Sequence, residues 1–153
     1  MLFRALISPR DVEALRVIRN SCRRYMTRHV SSITKAQQAR WWRERDSHIQ
    51  VYLAMVSGRA VGYGLLHITA RGTWVSGGLV HDARGRGHGR QLFDALIILT
   101  GASPCLLEVR KDNARALSLY TFLGFRVSGT RRGLRGARIL RMQLQRSQRR
   151  RSP

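Results

Sequence analysis

Arg84-Gly85-Arg86-Gly87-His88-Gly89 is the stretch around which this chain is organised. A short apolar run, Gly78-Leu79-Val80, leads into it. Leu92, Phe93, Leu96, Ile97 and Leu99 then recur at three-and-four spacing. The order is therefore strand, glycine-rich turn, helix. Glycine admits positive φ and lets a ligand come close to the backbone. The first amides of the helix have no partner inside it, and the positive end of its dipole lies there. With Arg84, Arg86 and Arg90 alongside, these features make an anion site suited to a pyrophosphate. The spacing is neither that of a P-loop nor the G-x-G-x-x-G of a dinucleotide fingerprint, because Gly85, Gly87 and Gly89 alternate strictly.

A second block follows downstream. It runs Leu107-Glu108-Val109-Arg110, then Asn113, Ala116, Leu119-Tyr120 and Leu123-Gly124-Phe125. Arg84, Gly87 and Gly89 fill a [QR]-x-x-G-x-[GA] pattern. With the second block, the chain resembles the GNAT family of acyl-CoA N-acetyltransferases, closest in motif to the bacterial enzymes that acetylate protein N-terminal alanine. The resemblance implies an α/β fold, a mixed splayed β-sheet flanked by helices. It implies acetyl-CoA as cosubstrate, held by Arg84, Gly85, Arg86, Gly87, His88, Gly89 and Arg90. It implies that the thioester arm bonds to free backbone groups around Leu79 and Val80, with the register open by one residue. Asn113 would contact the arm, and Tyr120 would protonate the leaving thiolate. Glu108, in an otherwise apolar strand, would serve as base, its pKa raised by burial. It equally reads as a structural glutamate paired with Arg110 or Arg126. For Asn113 a helix cap is the plain alternative, and for Tyr120 simple packing. His67, His81 and His88 are alternative bases.

A chain of 153 residues fits one domain. Residues 1–145 read as the acetyltransferase domain and 146–153 as a basic, disordered tail. No apolar run is long enough for a transmembrane helix, and the run before Pro9 is too short for a signal peptide. Cys22 and Cys105 have no metal spacing and read as thiols of a reducing, cytoplasmic compartment. No metal is expected. The net charge of +21 is the unusual number. Of 29 basic residues only Lys35 and Lys111 are lysine, and from residue 131 onward there are nine arginines and no acid. A genome rich in G and C explains arginine over lysine but not the shortage of acids. A polyanionic partner, nucleic acid or ribonucleoprotein, explains both.

Taken in order, residues 2–7 read as a strand. Ser8-Pro9-Arg10-Asp11 and Thr34-Lys35-Ala36-Gln37 open two helices with capping boxes. Residues 49–56 and 60–68 form a hairpin about Ser57-Gly58-Arg59, and residues 73–80 lead into the central loop. Gly77-Gly78 there implies a bulge or a close backbone approach. Residues 125–128 and 138–144 close the sheet, with residues 129–136 as a mobile loop between them. Arg19-Asn20, Arg24-Tyr25-Met26, Ile33-Thr34, Gln37-Gln38 and Trp41-Trp42 also resemble, more loosely, the start of GNAT enzymes that acetylate amino sugars. The tryptophan pair reads as core, or as a wall for a planar substrate.

The expected function is acetyl transfer to a primary amine on a polyanion: an amine-modified DNA base, aminoacyl-tRNA or a ribosomal protein. The alternatives are a free small amine, such as an amino sugar nucleotide, and a non-catalytic nucleic-acid-binding module. No membrane partner is expected. A homodimer is compatible with the resemblance.

Overall fold

The computed structural model describes residues 1–28 and 31–146. The expected tail therefore lies outside the described residues, apart from Arg146. The elements are β1 (Leu2–Ala5), α1 (Pro9–Cys22), α2 (Lys35–Glu44), β2 (Ile49–Val56), β3 (Arg59–Thr69), β4 (Gly72–Leu79), α3 (His88–Leu99), β5 (Cys105–Arg110), α4 (Ala114–Phe122), β6 (Phe125–Arg132) and β7 (Arg138–Leu144). The strands form one mixed sheet in the order β1-β2-β3-β4-β5-β7-β6.

Both capping boxes form. Ser8 accepts from the Asp11 amide while the Asp11 carboxylate accepts from the Ser8 amide, and Thr34 and Gln37 repeat the exchange. Asp11 also accepts from the Ile7 amide and from Arg4, at 2.6 Å, in a nearly buried position. Two apolar clusters sit on the two faces of the sheet. Leu15 and Ile18 of α1 pack with Leu53 and Tyr63 on one. Leu92 and Leu96 of α3 pack with Leu107, Tyr120 and Phe125 on the other. A side chain at Gly64 would meet Leu96 at 2.6 Å, and one at Gly77 would meet Leu92 at 3.1 Å, so these glycines let α3 lie close on the sheet.

The sheet is splayed at its centre. β4 and β5 are parallel and pair only at Thr73 with Cys105 and at Trp74 with Leu106. Beyond these pairs the strands diverge, while β5 stays paired with β7 along its length.

Two expectations are corrected here. Gly77-Gly78 makes no bulge, since the β3–β4 register runs unbroken through both. The close approach is what those glycines serve: a Cβ on Gly78 would sit 2.8 Å from the Cys22 sulfur. Nor is the span 129–136 a loop. β6 runs on to Arg132 through a bulge between Val127 and Gly129, and a short turn at Leu134–Gly136 leads into β7. Gly129, Thr130 and the adjacent Arg131-Arg132 gave no apolar periodicity by which to recognise the extension.

Candidate active site

The splay opens a cavity of about 1020 Å³. It reaches from the N-terminus of α3, past β4 and β5, to α1 and the 3-10 turn at Arg23–Tyr25.

At the α3 end the backbone supplies the donors. Gly87 is the N-cap, with φ 79°, and Gly85 has φ 77°, both in the left-handed region. The Gln91 amide closes the first turn onto the Gly87 carbonyl. The amides of His88, Gly89 and Arg90 are thus left without intrahelical partners, and no side chain caps the helix. Gly85, Gly87, Gly89 and Arg90 line the cavity, whereas Arg86 and His88 do not. His88 faces Gln91 at 3.4 Å. Arg84 lines the cavity but turns back from the loop: its Nε donates to the Leu79 carbonyl at 3.1 Å. Arg115 of α4 replaces it, with a guanidinium nitrogen 3.1 Å from where a Gly85 Cβ would stand. Among so many arginines, sequence offered nothing to single out Arg115.

The β4 register resolves which backbone groups face the splay. The Val80 amide donates to the Val61 carbonyl at 2.9 Å, so it is held in the sheet and is not a free donor. The Thr73 amide points the other way, to the Pro104 carbonyl. Antiparallel pairing alternates these directions. The amides turned toward the gap therefore belong to Val75, Gly77 and Leu79. Of the two strand residues expected here, Leu79 stands at the cavity with an outward amide and Val80 does not.

Tyr120 lies in the cavity wall, edge-on to Phe93 with ring centres 4.7 Å apart. Burial, with a smaller contribution from Tyr63, raises its pKa, so its hydroxyl stays protonated at any working pH. Among the described residues it has no hydrogen-bond partner. Asn113 caps α4, its Oδ1 accepting from the Ala116 amide at 3.3 Å, and it lines the cavity as well.

Glu108 lines the opposite end, with only 6% of its side chain exposed. Arg131 donates to both carboxylate oxygens, at 2.9 and 2.6 Å, and Arg28 approaches to 3.7 Å. The Arg131 hydrogen bonds outweigh burial and hold the pKa below the usual glutamate range. The expected upward shift is thus reversed. The partner is neither Arg110, which pairs with Asp112, nor Arg126, which donates to main-chain carbonyls.

Tyr63 was not anticipated. It lines the cavity with 6% exposure, and burial raises its pKa to about 12. Trp41, Trp74 and Tyr25 complete an aromatic wall with Arg19, whose guanidinium lies 5.3 Å from the Trp41 ring centre. Trp42 packs outside the cavity against Arg45. Asn20 clamps Ile33 through both main-chain groups, and Arg19 donates to Gln38. Much of the pattern that resembles amino-sugar enzymes therefore joins α1 to α2. His67 lines the cavity while 42% exposed, 3.9 Å from Asp46, and His81 is outside it. Among the described residues no cluster of metal-ligating side chains occurs, and no helix is long and apolar enough to cross a membrane.

A sequence profile of the acetyltransferase (GNAT) family matches residues 13–125, so the chain belongs to that family. The fold is shared with the ribosomal-protein-alanine N-acetyltransferase from Brucella melitensis, at a TM-score of 0.80 and 22% identity over 94% of this chain and 98% of that one. It is shared with yncA from Salmonella typhimurium, solved with its cofactor acetyl-CoA, at 0.77 and 21% over 95% and 93%. Spermidine N-acetyltransferase from Vibrio cholerae gives 0.78 and 16% over 94% of each. An uncharacterized protein of Mycobacterium leprae is 46% identical over 48 residues, 31% of this chain but only 13% of that longer relative. Acetyl-CoA is the cosubstrate of this family, and the donors fit it: unpaired amides and arginines for a pyrophosphate, outward strand amides for an amide-bearing arm.

Proposed function

We propose that this chain transfers an acetyl group from acetyl-CoA to a primary amine carried on a polyanion. The observation that carries the transfer reaction is the meeting, in one cavity, of the α3 N-terminus, the splayed β4 edge and the Tyr120 hydroxyl. The amides of residues 88–90, with Arg90 and Arg115, bind the pyrophosphate. The outward amides of β4 orient the arm, and one of them stabilises negative charge on the carbonyl oxygen. Bound there, acetyl-CoA supplies an acetyl thioester whose C–S bond breaks as the C–N bond forms. Tyr120, kept neutral by burial, gives its Oη proton to the departing sulfur. Glu108 stays ionised under Arg131 and draws an ammonium group into the cavity. Two protons leave that nitrogen: one to bulk solvent through water before attack, and one, as the C–N bond forms, through water to Tyr120 Oη, replacing the proton given to the sulfur.

The polyanion reading is supported by the charge balance. Seven of the eight carboxylates are paired with an arginine, most with a near neighbour in sequence, and the eighth, Asp46, contacts His48. The large remaining excess of arginine has no internal counter-charge. The test is thiol release from acetyl-CoA with four acceptors in parallel: amine-modified DNA, charged tRNA, a peptide with a free N-terminus, and an amino sugar nucleotide. Turnover on a nucleic-acid-borne amine is the expected result. Turnover confined to the sugar nucleotide or the free peptide contradicts the polyanion, and no turnover with any amine contradicts the transfer.

A further inference from the structure

We infer that the open sheet face beside the cavity is a docking groove for single-stranded nucleic acid, the strand that presents the acceptor. The inference rests on the proposed transfer to a polyanion-borne amine and names where the polyanion lies. A second depression of about 570 Å³ is lined by Thr69, Ala70, Arg71, Trp74, Leu106, Ser128, Arg141 and Gln143. Thr69 and Trp74 also line the large cavity, so the two are continuous along β3 and β4. A chain whose reacting residue sat in the cavity would lay its neighbour across this groove.

The lining suits a nucleotide. It holds no acid. Arg71 and Arg141 are exposed, and among the described residues neither forms an ion pair. The Arg141 guanidinium lies 5.4 Å from the Trp74 ring centre. An indole with a planar cation over it offers two planar surfaces on which a base stacks, the ring and the guanidinium, and Arg71 and Arg141 in reach supply donors for the flanking phosphates. Gln143 and Ser128 add polar edges, and Ala70 and Leu106 an apolar floor. An acidic peptide would satisfy the arginines but brings no ring for Trp74. A bare polyphosphate would ignore the indole altogether.

The test measures binding of a fluorescein-labelled mixed-sequence DNA 12-mer to the full chain by anisotropy, across a salt series. Three variants are compared with the wild type: Arg71→Gln/Arg141→Gln, Trp74→Ala, and a control double, Arg10→Gln/Arg43→Gln, with equal charge loss on exposed positions of α1 and α2. The groove predicts an affinity loss of about tenfold for the first two and under about twofold for the control. The first double should also flatten the log–log salt slope by about 1.4, two single-strand phosphates' worth. Equal losses in both doubles would overturn the groove in favour of diffuse attraction. So would an unchanged Trp74→Ala affinity, or inorganic polyphosphate competing no better against the Trp74→Ala variant than against the wild type while displacing the 12-mer fully from both. Acetyl-CoA binding and the melting temperature, measured on each variant, separate local loss from misfolding. Groove-dependent binding without turnover on any amine would contradict the transfer and leave the groove standing. Turnover on a free amine with no 12-mer binding would remove the groove and the polyanion together and leave the transfer.

Discussion

At the α3 end of the cavity the polar groups are chiefly main-chain amides; at the Glu108 end they are side chains from separated segments. The first region needs a turn with two left-handed glycines, an uncapped helix start and a strand edge without a partner. The turn and the helix start follow from residues adjacent in sequence, and the open edge follows from the divergence of β5 from β4 beyond Trp74. The second needs Glu108 from β5, Arg131 from β6, Arg28 before α2 and the aromatic residues of the Arg23–Tyr25 turn, α2, β3 and β4. Its electrostatics depend on which arginine reaches which acid. A site for a shared cofactor can be held by main chain and keep its form while side chains vary. A site for a particular acceptor must be written in side chains.

This difference can be broken from either side. The largest effect is expected in the core that fixes the α3 end. Leu96→Ala removes a fully buried side chain beneath the helix and should cost about 2–5 kcal/mol, read as a lower denaturant midpoint with unchanged slope. Next comes Asp11→Ala. It strands the Ile7 and Ser8 amides and unpairs Arg4, a loss of about 2–3 kcal/mol. Burial pushes the Asp11 pKa up, but the Ile7 and Ser8 hydrogen bonds and Arg4 together bring it below its ordinary value. A depressed carboxylate stabilises the fold above its unfolded pKa, and that stability is lost as pH falls through the folded one. Wild type should therefore lose stability on acidification below about pH 4, and the variant should show a shallower dependence there.

Gly87→Ala has open space for its methyl group but must hold positive φ. The strain of about 1–2 kcal/mol should loosen the cap and weaken acetyl-CoA binding about tenfold by calorimetry, with little effect on acceptor KM. The smallest effect is expected from Arg131→Gln. Stability should fall by about 1 kcal/mol, since Arg131 is a third exposed but Glu108, 6% exposed, keeps only Arg28 nearby. Without it the Glu108 pKa rises, because its chief stabilising partner is gone and burial remains. The acid limb of the kcat/KM profile should move to higher pH. An unmoved limb would show that ionised Glu108 is not needed for the acceptor.

How much could be read in advance follows the same division. The capping boxes and the glycine turn were legible because each is a local pattern, whereas the splay and the places of Asn113 and Tyr120 at the cavity were expected only through the family resemblance. The exclusion of Val80 was not: a slip of one residue in a strand exchanges the inward and outward amides, and the short segment before Arg84 left that register open. Arg84 fills the motif and Arg86 and His88 lie within it, but the structure turns the Arg84 side chain to the Leu79 carbonyl and leaves the other two out of the cavity. The Glu108–Arg131 pair spans 23 residues and was one choice among many arginines. Tyr63 had no motif at all; only the fold brings it to the cavity wall.

The most direct test of the account compares wild type with Tyr120→Phe in acetyl-CoA turnover, with acetyl-CoA affinity measured on the same preparations. If the buried hydroxyl protonates the departing sulfur, kcat should fall about 100-fold or more while acetyl-CoA affinity holds within about twofold. Full turnover by the variant would contradict the central claim and leave Tyr120 as a packing residue between Phe93 and Phe125.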